Sequence, residues 1–291
     1  MFYNRLKRNY RSKTTPERIL FSVVFIIFCI YAISLILPFI WAFLSSLKTD
    51  DEFYESLFDL PRNWLFSNYA KAFSEFRIGN TTMIGMIINS LWLTFAGTFV
   101  SVMVSSATGY IFAKYPFKGS KLIYDIAIIS MIIPIVGSLP ATYKVVTTLH
   151  LNTPLTIIAL YTGGFGYNFI ILNSCYRSIS WHYAEASMID GAGHFRTYLK
   201  VMLPQAKPAI LAMAILSCIG IWNDYYTPFL YLKDYPTLAL GIYQFDIIQE
   251  QRSNMPVYFC AIILSIIPVL IVYTIFQDTI MNNSVAGGLK G

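Results

Sequence analysis

Charged side chains are scarce in this sequence. Only 12% of its 291 residues are Asp, Glu, Lys or Arg, whereas an average soluble domain carries about 25%. A water-soluble globule of this length could not cover its surface with so little charge, so soluble enzymes and disordered chains are excluded together. Cysteine is equally thin. Cys29, Cys175, Cys218 and Cys260 each stand inside an apolar run, unpaired and without an accompanying histidine. That excludes a disulfide framework and a structural zinc site, leaving four small apolar side chains. Of the three scattered histidines, His182 and His194 read as surface or interface residues. Gly-x-x-x-x-Gly-Lys-Ser/Thr, His-Glu-x-x-His, Gly-x-Ser-x-Gly and Cys-x-x-Cys are all missing. No catalytic role, metal or cofactor is expected.

What the chain does have is apolar length: 56% of it is hydrophobic and its mean hydropathy is +0.56. A helix rises about 1.5 Å per residue and the hydrocarbon core is about 30 Å thick, so about 20 residues suffice to cross it. Charge-free runs place a first, uncleaved span at 19–47 and a second within 78–113, whose start lies outside the bilayer. A third covers 126–143, a fourth lies within 145–176 from about Pro154, a fifth runs from Pro208 past Trp222, interrupted by Asp224, and a sixth covers 256–277. The expected fold class is an all-α polytopic membrane protein with six transmembrane helices. Its parts are a basic cytoplasmic segment at 1–18, a six-helix membrane domain at 19–278 and a cytoplasmic tail at 279–291.

The net charge of +6 is mostly a topology signal. With both termini inside, the cytoplasmic segments hold 14 of the 21 bases, including Arg5, Lys7, Arg8, Lys118, Arg177 and Lys207. The opposite orientation would invert the positive-inside bias, so N-in, C-in is expected and nucleic acid is not an expected partner. The outer loop at 48–77 carries six acids and rings such as Phe53, Trp64 and Tyr69. These suit a headgroup layer, and the loop is expected to close the outer face or to receive an external partner.

Inside the second span, Gly97, Ser101, Ser105 and Gly109 recur every four residues, a small stripe along which another helix can approach closely. Pro134 and Pro140, with Gly163, Gly164 and Gly166, predict kinked or interrupted helices, as occur where transporters line a cavity and also in ordinary bundles. In the fifth span, Asn223, Asp224 and Tyr225, with Asn89 of the second, are the candidate solute-pathway residues. Asp224 has a second reading: an acid solvated at the outer mouth or paired with a base such as Lys233. Aromatics beside Asn, Asp and Tyr suit sugars, although 16% aromatic content is also routine at bilayer interfaces.

Between the fourth and fifth spans, 177–207 is too polar to cross. Ser180 is placed to cap a helix through Ile189, Gly191 to end it in the left-handed region, Gly193 to open a second helix and Pro204 to limit that one. A helix–glycine turn–helix with small side chains fits a knob for a partner's cleft.

Here the sequence resembles a known family. Glu185-Ala186-Ser187-x-x-Asp190-Gly191-Ala192, followed by Leu203-Pro204, is similar to the cytoplasmic "EAA" loop of permease subunits in binding-protein-dependent ABC importers. Ser46-Leu47-Lys48-Thr49, Leu60-Pro61-x-x-Trp64, Asn68-Tyr69, Asn89-Ser90, Trp222-Asn223-Asp224 and the terminal Gly287-Gly288-Leu289-Lys290-Gly291 resemble carbohydrate permeases of the maltose type. Ser187 departs from the family's second Ala, Gly193 from its usual Ser or Thr cap, and Asn282-Asn283 from its tail pattern.

The resemblance implies half of a sugar pathway in a bacterial inner membrane. A second permease subunit, in a heterodimer, would supply the other half. Two cytoplasmic ATPase subunits would receive the loops, and an extracytoplasmic solute-binding protein would deliver the sugar. Glu185, Ala186, Ser187, Asp190, Gly191, Ala192 and Pro204 become the coupling residues, with Gly191 permitting close approach and Glu185 and Asp190 bonding partner or local backbone groups. The alternatives are an ion-coupled secondary transporter, which leaves the helix–turn–helix without a task, and an ABC importer permease for a non-sugar solute. An intramembrane enzyme is disfavoured because Asp125, Asp224 and Asp278 sit near helix ends.

Overall fold

The computed structural model describes residues 15–132, 139–248 and 254–286. Pro134 and the terminal Gly287 to Gly291 lie outside them. The chain divides into two compact units, 1–72 with 252–263 and 73–251 with 264–291.

In the first unit, α1 (Thr15–Ser46) is a long apolar helix whose side chains are largely exposed, as a lipid-facing helix requires. Its end is held by a folded segment. Thr49 caps the short α2 (Asp50–Glu55) by accepting from the Glu52 N–H at 3.2 Å. Lys48 is buried, 1% exposed, and its Nζ donates to the Ser56 carbonyl at 2.7 Å. Asn68, from α3 (Ser67–Glu75), donates to the Ser46 and Lys48 carbonyls at 2.9 and 2.8 Å, satisfying groups that a helix end leaves unpaired. Trp41 donates to the Leu57 carbonyl and packs edge-on against Phe259, beside Phe53. The Tyr69 hydroxyl sits 3.0 Å from Ser46 Oγ, and burial pushes that phenol up, so it stays protonated. Much of the expected interfacial loop is therefore a hydrogen-bonded cap with its own small core.

The second unit opens on a hairpin, β1 (Arg77–Ile78) and β2 (Thr81–Thr82), turning at Gly79 with φ +56°. Thr82 then caps α4 (Met83–Lys114), so the first residues of the second apolar run belong to the hairpin and not to the helix. This helix is the centre of the unit, packed by α7 (Tyr167–Ser178) and α11 (Lys207–Trp222). The small stripe permits the packing. A Cβ on Gly109 would lie 3.0 Å from the Asn173 amide nitrogen, and Asn173 donates to the Gly109 carbonyl at 2.9 Å. A Cβ on Gly97 would lie 3.1 Å from Ile221.

Three described helices are long and apolar enough to cross a membrane: Ile19–Ser46, Met83–Lys114 and Met255–Asp278, the last within α14 (Met255–Ala286). A fourth arises if His194–Gln205 and Lys207–Trp222, bent by 79°, count as one span. The remaining apolar stretches are shorter pieces. Of the third, the described residues form α5 (Ser120–Ile132) and α6 (Leu139–Thr148). The fourth is a 3₁₀ segment, Thr156–Tyr161, and α7. Between those two the chain turns at Gly163, φ +48°, with Gly166 donating to the Gly163 carbonyl at 2.8 Å. The glycines do interrupt this run.

The fifth run breaks at its acid: the helix stops at Trp222, and Asp224 stands at the break before α12 (Tyr226–Tyr231). The physical reason is capping: the carboxylate accepts from the Tyr226 and Thr227 N–H groups, both at 3.0 Å, which starts a new helix rather than extending the old one.

Candidate functional site

The segment at 177–207 folds as helix, turn and helix. The first, α8 (His182–Ile189), follows Ser180, whose Oγ accepts from the His182 N–H at 3.3 Å. Ala184 faces inward with no exposure, while Glu185 and Ala186 are exposed. Glu185 meets His182 Nδ1 at 2.9 Å, three residues apart on the helix surface.

The helix ends in a Schellman motif. Ala192 donates five residues back to the Ser187 carbonyl at 3.0 Å, and Gly191 donates to Met188 at 3.0 Å. The motif requires a left-handed residue, and Gly191 supplies it with φ +83°. Asp190 is exposed on the outer side of the turn and its N–H bonds the Ala186 carbonyl at 3.1 Å. Gly193, extended at φ −70° and ψ 164°, opens α9 (His194–Thr197). Ser187 Oγ lies 3.3 Å from Thr197 Oγ1, clasping the two helices together.

Pro204 does not limit the second helix. After α9 the chain widens into a π-turn, Tyr198–Met202, and then resumes as α10 (Leu203–Gln205) with Pro204 inside it. Leu203 donates five residues back to Tyr198. Approached from this wider turn, a proline without an N–H is accommodated, and the helical path bends only at Ala206.

The pathway candidates separate. Asn89 donates to the Pro236 carbonyl at 3.0 Å, and its neighbour Ser90 accepts from the Leu238 N–H at 2.8 Å. Both fasten the start of α13 (Leu238–Ile248) to α4. Asn223 donates back to Ile219 at 2.8 Å within its own helix end. Asp224 takes a hydrogen bond from the Tyr161 hydroxyl at 2.8 Å, and no ion pair with Lys233 forms among the described residues. Tyr225 is 41% exposed and stacks on Tyr243, ring centroids 4.4 Å apart. Tyr161 and Tyr243 were missed by sequence reasoning: they lie 63 and 18 residues from their partners, and no local spacing announces either. Among the described residues no His, Cys, Asp or Glu cluster could hold a metal.

The family model for the binding-protein-dependent transport system inner membrane component matches residues 105–282, which include the whole helix–turn–helix. The chain belongs to this family. It is a membrane permease component of a binding-protein-dependent importer, and nothing in the family assigns it a catalytic role.

Relatives agree along nearly the full length. The diacetylchitobiose uptake system permease protein NgcG of Streptomyces coelicolor is 28% identical over 284 residues, covering 96% of this chain and 92% of that protein. The melibiose/raffinose/stachyose import permease protein MelC of Bacillus subtilis is 25% identical over 283 residues, covering 96% and 99%. Among solved structures, a chain of a bacterial ABC transporter involved in the import of the acidic polysaccharide alginate superposes with a TM-score of 0.80. It is 22% identical, with 91% of this chain and 98% of that one covered, which establishes the shared fold.

Proposed function

We propose that this chain is the permease subunit of an ATP-driven sugar importer, forming half of the solute pathway. The carrying observation is the helix–Schellman turn–helix at 182–205, its glycine tip exposed and its inner face packed on α4 and α7. The relatives' sugars, diacetylchitobiose in one and melibiose, raffinose and stachyose in another, support carbohydrate as the solute class.

In this reading Glu185, Ala186, Ser187, Asp190, Gly191 and Ala192 are this chain's contact with the cytoplasmic ATPases, two subunits that receive the loops of the two permease halves and hydrolyse ATP. Pro204 belongs to the helix behind the contact. A second permease subunit completes the pathway and an extracytoplasmic solute-binding protein supplies the sugar. Six spans with both termini inside remain the topology we propose, divided as 1–18, 19–278 and 279–291. Of the pathway candidates, Tyr225 presents an exposed ring that suits a sugar's apolar face, whereas Asn89, Asn223 and Asp224 commit polar atoms to the chain's own backbone or to Tyr161.

The test begins with the reading frames beside this chain, which should encode a solute-binding protein; that protein is screened against mono-, di- and oligosaccharides by thermal shift. The sugar that stabilises it should then enter proteoliposomes holding the complete transporter only when ATP is supplied. Uptake driven by an ion gradient without the ATPases would overturn the reading.

A further inference from the structure

Behind the glycine turn, three buried hydroxyls from three elements converge. Ser106 of α4 has its Oγ 2.7 Å from the Tyr176 hydroxyl of α7 and 2.9 Å from the Tyr198 hydroxyl of the π-turn. Tyr110, one turn further along α4, stacks on the Tyr198 ring at 4.9 Å and meets Tyr176 edge-on at 5.4 Å. The Tyr115 hydroxyl bonds His194 Nδ1 at 3.0 Å, and Lys114 Nζ donates to the Ile179 carbonyl. Around these groups lie Leu172, Ala184, Met202 and Ala206, none of them exposed. The turn region is thus bound to α4 and α7 by side chains, while it joins α11 through the 79° bend after Gln205.

We propose that Ser106 is a positioning residue: it makes the helix–turn–helix, α4 and α7 move as one body, so that displacement of the Gly191 tip reaches the membrane helices. The proposal rests on the coupling role assigned to the tip above. A serine hydroxyl has one proton and two lone pairs, so it can serve two phenols at once. Its short side chain holds that junction close to the backbone of α4, with no flexible arm to absorb the movement. Because the cluster is buried, each of these hydrogen bonds is stronger than on a surface, and each phenol left without one is more costly. The signal was invisible in the sequence because the partners stand 70 and 92 residues from Ser106.

The test uses the whole transporter in lipid nanodiscs, with ATP hydrolysis read against the concentration of sugar-loaded binding protein. Losing a buried hydrogen-bond junction should lower the maximal stimulated rate of Ser106→Ala about tenfold, with the half-saturating concentration changed less than about twofold. Tyr198→Phe removes one phenol without orphaning it and should shift the same parameter in the same direction. The double variant Ser106→Ala/Tyr198→Phe should regain melting temperature relative to Ser106→Ala but not stimulation. Stimulation that recovers together with melting temperature would reduce the cluster to packing and overturn the proposal, as would full stimulation in Ser106→Ala. Gly191→Trp is run alongside. If it abolishes stimulation while Ser106→Ala does not, the coupling tip stands and Ser106 falls; if neither variant matters, both fall.

Discussion

Replacing Gly191 separates the cost of the turn from the cost of what docks on it. Its φ of +83° lies where an L-residue meets steric resistance, yet a Cβ built there has no atom within 4 Å among the described residues. Alanine and tryptophan should therefore impose the same backbone strain on the isolated subunit, about 1–2 kcal/mol. That corresponds to about a 5- to 30-fold rise in local opening. Hydrogen exchange at the Ala192 and Gly191 amides, which close the Schellman motif, reads this directly. The Gly191→Asn variant should be strained less, since asparagine tolerates the left-handed region. In the complete transporter the three should diverge. Alanine and asparagine should keep most ATPase association, and tryptophan should lose it, because only bulk interferes with a cleft. Equal uptake by the tryptophan and alanine variants, both normally assembled, would refute the reasoning.

Three further outcomes follow from the geometry. Gly109→Ala should push α4 off α7, costing about 1–3 kcal/mol in overpacking, read as a lower melting temperature in detergent. Asn68→Leu removes both bonds to the Ser46 and Lys48 carbonyls, leaving Ser46 only the Cys260 thiol, costs about 1–3 kcal/mol for the orphaned Lys48 carbonyl, and should open the 56–66 stretch to protease. Asp224→Ala should lose the cap of α12, about 0.5–2 kcal/mol, whereas Asp224→Asn keeps an acceptor and should fold normally. Uptake by the asparagine variant then reports whether the negative charge itself serves the solute.

What could be read in advance was local. Gly191 took the left-handed conformation that ends its helix, Gly163 and Gly166 broke the fourth run, and the stripe ending at Gly109 became a helix contact. Each depends on neighbours within a few residues. The readings that moved depended on alternatives to a simple rule. Pro204 forbids an ordinary helical bond, but a π-turn offers another register. Asp224 was legible as an interruption of the fifth run but not as a cap: its carboxylate competes for the backbone and starts a new helix. Buried Lys48 resembled an outer-loop charge, and nothing near it in sequence revealed that the Ser56 carbonyl would receive it. Contacts closed over long separations, such as Tyr161 with Asp224, leave no periodic trace.

The Schellman turn also limits the language in which this tip can be recognised. Because the chain itself satisfies the Ser187 and Met188 carbonyls, an incoming protein finds few backbone acceptors there to bond. What stands out instead is relief: Ile189 at 85% exposure, Phe195 at 74% and Tyr183 at 55%, all on the two helices that the glycine turn joins. Discrimination among rival motor proteins at such a surface would be made by fit and apolar contact, so swapping those three side chains between importers is the economical way to redirect which motor a permease accepts.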